Sequence, residues 1–460
     1  MKRRDTFRMI PLALAGAGVK AGHAAPIESA PRTVDTGEPR PLCLEYPKII
    51  MNMLEWVRQN QSGNIMESAY AISRTLRKKG TFWINWDQGH STRGEMFPGR
   101  DGMPEFLNHG YDPGKAKDGD VLMACRILSE AGFEDLKKKD VFVIGAPSPW
   151  SGDAAGFRNV REDIRRLRIG DYSDIWIETN ITSIGPILTI PGMPAPIGPV
   201  SGPLYMTIMW MILADVCRVC TIEGVKVSIM GDGPKLSGRN VTWIEPGRPL
   251  ADIYLDTVNR ELEMVGSELG DIRRMASMAV DSLLGGGSVY YYSRYPETFR
   301  GEATGRRGGL AFAKGISDGD KVELTPKDCV IMGVFKPDDD VDLRHLDMFK
   351  KAGVRIASIG PIMRDFNVPE GRCVHRETEV HAGRMSDTLG LFAIPGIDRK
   401  VCPTSGISMI AVHWAVSIEI IEQIKARTGG NVPGVHHSGV LHWGNEFNSR
   451  VRAIARERGY

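Results

Sequence analysis

Two groupings of residues in this sequence have the composition to do chemistry. The first is a carboxylate flanked by arginines. Residues 93–102 read RGEMFPGRDG and residues 300–309 read RGEATGRRGG. Each holds a glutamate (Glu95, Glu302) two residues after one arginine (Arg93, Arg300) and five before another (Arg100, Arg307). Such a carboxylate can serve as a general base while a guanidinium holds an anion or the charge of an enediolate. The same set also suits an ion pair that fixes a loop, and spacing alone leaves both open. The second grouping is HRETEVH, residues 375–381. On an extended strand His375, Glu377, Glu379 and His381 face one way. Two imidazoles and two carboxylates on one face suit metal binding or proton transfer, and a solvated edge strand would carry the same residues. The first half has Trp176, Glu178, Asn180 and Thr182 in those places, sharing only the glutamate (Glu178 with Glu377). Glu377 and His381 are therefore the candidates of the second half.

The elements that position these residues occur twice. Residues 80–102 align without a gap on 287–309, with Gly80/Gly287, Arg93/Arg300, Gly94/Gly301, Glu95/Glu302, Arg100/Arg307 and Gly102/Gly309 identical. Residues 190–210 align on 394–414 through Ile-Pro-Gly, Pro-x-Ser-Gly and a tryptophan (Trp210, Trp414). That second window has seven identities, where average residue usage gives roughly one. Both blocks occur in the same order, so the chain is a duplication. Each copy reads as a helix, an aromatic strand, the Arg-Gly-Glu segment and then alternating strands and helices. This predicts a parallel sheet covered on both faces. The Glu-Thr segments 175–179 and 374–378 are read as matching strands. A Ser-Gly turn (Ser201-Gly202, Ser405-Gly406) opens a long apolar helix in each copy. Its free N–H groups suit an anion or a sugar hydroxyl, and a serine there also serves as a plain cap.

Length allows several domains, and the expected division is 1–25, 26–45, 46–224, 225–251 and 252–460. Residues 1–25 have a basic start (Lys2, Arg3, Arg4), a short apolar run and small residues at 21–25. This is a secretory signal pattern that resembles the twin-arginine type and is also open to reading as an ordinary signal peptide, and either predicts export to the periplasm or beyond. Residues 26–45 read as a Pro-rich linker and 225–251 as a connector. The apolar run 204–213 is too short for a membrane span and reads as a core helix. The formal net charge is +2, so no nucleic-acid footprint is expected. Seven scattered cysteines imply no disulfide framework. Cys217 and Cys220 form a CxxC without a second pair to complete a zinc site, and they read as buried thiols.

The stretch GHSTRGEMFPGRDGM (89–103) resembles the first loop and helix of sugar isomerase (SIS) domains, through Gly89, His90, Ser91, Glu95, Phe97, Arg100 and Gly102. The tandem arrangement is similar to the isomerase half of glucosamine-fructose-6-phosphate aminotransferases. The resemblance implies an α/β fold of two tandem flavodoxin-like domains, each a five-stranded parallel sheet between helices. It implies phosphosugar binding through Ser/Thr-rich loops after the first two strands, with His90, Ser91 and Thr92 in the ligand loop and Glu95 or Glu302 as the base. Arg93, Arg100, Ser201, Arg300, Arg307 and Ser405 complete the candidate binding set. The Ser-x-Ser-Gly-x-Ser/Thr loop after the second strand is absent here, which favours a non-phosphorylated sugar or sugar acid. The expected function is sugar binding with aldose–ketose isomerisation. The alternatives are a non-catalytic carbohydrate-binding or assembly protein, and a metal-dependent enzyme using HRETEVH. No cofactor is implied, and the copies are expected to pack as a pseudo-dimer, with further pairing plausible on symmetry grounds.

Overall fold

A computed structural model describes residues 41–85, 90–96, 99–124, 130–146, 172–181, 186–231, 248–294, 298–304, 306, 308–362, 371–383, 390–438 and 441–460. The expected signal peptide (1–25) and most of the expected linker lie outside these residues. A 3-10 turn at Leu42–Leu44 buries Cys43 and leads into helix α1, Glu45–Arg77. Ordered structure thus reaches into the segment read as linker.

The first copy continues through β1 (Phe82–Asn85), α2 (His90–Glu95), β2 (Leu107–His109), β3 (Val121–Ala124), α3 (Glu130–Lys138), β4 (Phe142–Gly145) and β5 (Ile175–Trp176). A small hairpin, β6 (Pro186–Leu188) and β7 (Ile197–Pro199), precedes α4 (Ser201–Ile222). The second copy has α5 (Leu250–Met264), a 3-10 turn, α6 (Leu269–Leu284), β8 (Val289–Ser293), α7 (Phe299–Thr304), β9 (Lys314–Ile316), β10 (Cys329–Gly333) and α8 (Asp340–Lys351). It ends with β11 (Arg355–Ile359), α9 (Val374–Glu377), β12 (Val380–Ala382), α10 (Ser405–Arg427) and α11 (Gly444–Arg458).

Each copy builds a five-stranded parallel sheet, ordered β2-β1-β3-β4-β5 and β9-β8-β10-β11-β12. This is the flavodoxin-like order, with its switch point between β1 and β3, or β8 and β10. The α/β fold expected from the alternation of elements is the one observed. Side chains alternate along each strand between two faces. Phe82, Ile84, Val289 and Tyr291 enter one large core shared by both copies and by the helices α1, α4, α5, α6 and α10. Trp83 packs in a separate cluster on the far face of the first sheet, and Tyr290 and Tyr292 do so on the far face of the second. The helices α4 and α10 are long and apolar enough to cross a membrane, yet nearly all of their residues are buried in this shared core.

Strand pairing fixes which residues of the two copies correspond. Val121 pairs with Phe82 and Phe142, and Cys329 pairs with Val289 and Arg355. Ile144 then pairs with Ile175, and Ala357 with Val380. Trp176 therefore corresponds to His381, and Asp174 to Glu379. Both of those carboxylates accept a strand N–H, from Val143 at 2.8 Å and Ile356 at 3.2 Å. This corrects two readings of HRETEVH. The segment 374–377 is a helical turn rather than a strand, and the strand comes afterwards. The counterpart of Glu178 is Gly383 rather than Glu377. Their N–H groups confirm it: Glu178 donates to Gln61 Oε1 at 3.2 Å, and Gly383 donates to Glu268.

Tyr46 in α1 donates its hydroxyl to Pro199 O at 2.7 Å, and Tyr254 in α5 donates to Pro403 O at 2.8 Å. A left-handed residue precedes each of these loops, Gly198 at φ 74° and Cys402 at φ 60°. A Cβ on Gly198 would lie 2.8 Å from the Tyr46 ring, which explains the glycine there. Tyr46→Phe and Tyr254→Phe each leave a buried carbonyl unpaired. Each is expected to cost about 1–3 kcal/mol in urea unfolding, and the two losses should be similar because the contacts are equivalent.

Candidate functional site

The repeated Arg-Gly-Glu segments meet the repeated Ser-Gly turns, but across the two copies. Glu95, at the end of α2, is 0% exposed. Its Oε1 accepts from Arg100 Nη2 at 3.1 Å and from Trp210 Nε1 at 3.2 Å. Arg100 also donates to Ser405 Oγ at 2.8 Å, and its guanidinium lies 4.6 Å over the Phe335 ring. Ser405 and Phe335 belong to the second copy. A Cβ on Gly406 would lie 2.3 Å from Glu95 Oε2, so the carboxylate rests against the first turn of α10. The positive end of that helix favours an anion there.

The other side repeats the arrangement with the copies exchanged. Glu302 is 0% exposed. Its Oε1 forms an ion pair with Arg306 Nε at 3.1 Å and accepts from Trp414 Nε1 at 3.2 Å. Arg306 in turn donates to Ser201 of the first copy. The partner of Glu302 is therefore Arg306, one residue earlier than the gapless alignment places it. Gly102 and Gly308 share left-handed φ values of 78° and 93°. Met103 and Gly309 both accept from a neighbouring segment, from Met230 N and His436 N. One residue is thus inserted between Glu95 and Arg100 relative to the second copy. Arg307 lies outside the described residues.

The remaining candidates divide between buried, surface and undescribed positions. Thr92 is buried, and its Oγ1 has no partner among the described residues. His90, Ser91 and Arg93 fall within α2, and of these three residues only the backbone is described. Arg300 does not join Glu302; its side chain lies along β9 against Gly315. Glu377 is bound by Arg372 at 2.8 Å and Lys350 at 2.6 Å. The Arg372 hydrogen bond, followed by Lys350, holds its carboxyl low, at about 2, which makes it a weak base. His381 is buried, with Nδ1 2.8 Å from Ser358 Oγ, which lies 2.8 Å from Thr378 Oγ1. Its ring centre is 5.5 Å from that of His375. Glu379 instead pairs with Arg355 at 3.1 Å. The four residues expected on one face are thus dispersed, and no group of three metal-ligating side chains forms among the described residues. The six described cysteines are all buried thiols.

The carboxyl edge of the second sheet carries a feature the sequence did not disclose. A cavity of about 410 Å³ opens beside the first turn of α8, lined by Asp338, Asp340, Leu343, Arg344, Asp347 and Arg372. Asp339 caps α8, its Oδ1 accepting from Val341 N at 2.9 Å and Asp342 N at 3.3 Å. Its other oxygen pairs with Arg294 from the end of β8. Arg294 and Arg372, which meet this acidic run and its cavity, come from distant positions in the sequence.

The buried pairs generate a testable expectation. Removing one member of a buried pair leaves a charge uncompensated, at about 3–5 kcal/mol. Arg100→Met is expected to lose that much in urea unfolding. Adding Glu95→Gln is expected to restore part of it, giving a coupling of about 1 kcal/mol or more in a double-mutant cycle.

No family model matches the chain, and no curated protein matches it. Solved structures resemble it at low identity. One is a protein of Salmonella typhimurium LT2 provisionally assigned as sugar-binding, 10% identical, covering 82% of this chain and 98% of its own, with a TM-score of 0.45. Another is the C-terminal domain of glucosamine-fructose-6-phosphate aminotransferase from Francisella tularensis, 10% identical over 87% of this chain and 99% of that one, with a TM-score of 0.43. A third is glucosamine-6-phosphate deaminase from Thermotoga maritima, also 10% identical over 87% and 99%, with a TM-score of 0.40. A likeness at this level carries no information about ligand or reaction.

Proposed function

We propose that this chain is a tandem SIS-domain protein that binds an uncharged sugar or sugar derivative at the carboxyl edge of its second sheet. The observation that carries the reading is the occupied helix start of α8. Open α/β sheets bind ligands at their carboxyl edge, and a free helix N-terminus there is suited to a phosphate. Here Asp339 takes the N–H groups of Val341 and Asp342 itself. Asp338 and Asp340 add negative charge to the adjoining cavity, where Asp347 is paired with Arg372. A phosphate would meet carboxylates, whereas sugar hydroxyls can donate to them and accept from Arg344. The resemblance of residues 89–103 to the SIS first loop supports the sugar class.

Binding fits the geometry better than isomerisation by Glu95 or Glu302. Both carboxylates are 0% exposed and held in ion pairs. Proton transfer to a substrate carbon needs hydrogen-bond reach, so the seam between copies would have to open. Titration with neutral monosaccharides and their 6-phosphates, read by ligand-observed NMR, tests the proposal. A neutral sugar is expected to bind more tightly than its phosphate. Asp340→Asn is expected to weaken it about tenfold, the loss of one charged hydrogen bond. Tighter binding of the phosphates would overturn the reading.

The basic start and small-residue patch of residues 2–25 support an exported location. Fractionation of bacterial cells carrying the full chain with a C-terminal tag is expected to place it in the periplasm, and Arg3→Lys/Arg4→Lys is expected to hold it in the cytoplasm. Periplasmic export unaffected by that double change would remove the twin-arginine part of the proposal.

A further inference from the structure

A second cavity lies at the opposite edge of the second sheet. It has a volume of about 340 Å³ and sits between α11 and the segments around the starts of β8 and β9. Leu283 and Phe312 form apolar walls, and Ser288 offers a hydroxyl. Three cations reach it from two elements: Lys314 at the start of β9, and Arg452 and Arg456 on α11. None of the three makes a salt bridge to an Asp or Glu among the described residues. Asp328, on the same edge, directs its oxygens to the N–H groups of Ser288 and Thr325.

We infer that this groove is a binding site for a small organic anion, a carboxylate or phosphate ester with a compact apolar part. Lys314 is already positioned: its ammonium donates to Ser288 Oγ at 2.8 Å and lies 5.5 Å over the Tyr290 ring. Arg452 and Arg456 are four residues apart, so their guanidinium groups repel one another on one helix face. The helix dipole accounts for Arg456 in the last turn, but its effect fades before Arg452, and it does not reach Lys314 on another element. An anion between them relieves the repulsion and gains charge-assisted hydrogen bonds from two guanidinium groups. Leu283 and Phe312 then select a ligand with an apolar part over a bare ion. The volume lies within the range of small-molecule sites. The groove lies on the amino edge of the strands, away from the proposed sugar cavity, so the inference stands without that reading.

The test is calorimetric titration of the full chain with phenyl phosphate, inorganic phosphate and phenol. Phenyl phosphate is expected to saturate a single site, inorganic phosphate to bind more weakly, and phenol not to bind. Arg452→Gln/Arg456→Gln is expected to weaken phenyl phosphate at least about tenfold, as loss of charged hydrogen bonds requires. Arg458→Gln, outside the groove on the same helix, is expected to leave it unchanged. Absence of saturable binding by the unmodified chain, or equal affinity in the double variant, would overturn the inference. Because these residues are exposed, the double variant is expected to fold normally, which its unfolding midpoint checks.

Discussion

Two crossed ion pairs hold the copies of this protein together. Each pair is a glutamate and an arginine of one copy, bound to the opening serine of the other copy's long helix. Ions of this kind persist out of water only when their polar atoms are met by one another or by dipoles. Here the arginine and a tryptophan N–H meet one oxygen of each carboxylate, and the first turn of α10 lies against the other oxygen of Glu95. The serine that receives the arginine lies more than one hundred residues away in sequence, so that contact forms only when both copies have folded around it. The shared core follows from the same constraint. α4 and α10 begin at those serines, and their apolar length must then lie between the sheets.

This arrangement changes what duplication means for function. A repeated glutamate between arginines has the composition of an acid–base site, and repetition would suggest two such sites. The geometry gives the repetition another cause: a two-fold seam needs each contact twice. Chemistry is then free to differ between the copies where the seam does not reach. His381 stands where the first copy has Trp176, and Glu268 caps a strand end where the first copy has the neutral Gln61. The acidic cavity at α8 also lies outside the seam.

Much of the fold was legible from the chain. Alternation of strand and helix gave the parallel sheets, and self-alignment gave the two copies. The Ser-Gly turns gave the starts of α4 and α10. The missed features share one cause, which is that sequence distance hides spatial partners. Arg306 was passed over because a gapless alignment placed Arg307 opposite Arg100, and a one-residue insertion was invisible without the seam. Trp210 and Trp414 were noted as repeated, yet nothing local indicated that their indole N–H groups meet the repeated glutamates. The HRETEVH segment was assigned a strand period because its polar residues alternate. Arg372 and Lys350 instead bind Glu377 on a helical turn, and the strand begins three residues later. At α8 the Asp339 carboxylate occupies the helix start, and no sequence pattern separated that cap from its acidic neighbours.

The central claim is that the crossed pairs make the two copies one cooperative unit. Native-state hydrogen exchange, resolved to single amides, measures this directly. The account predicts that the slowest amides of β1 and β3 and those of β8 and β10 open with the same free energy, through one global unfolding. If one sheet exchanged at a distinctly lower opening free energy while the other stayed protected, the copies would fold independently, and the seam would not be what holds the structure together.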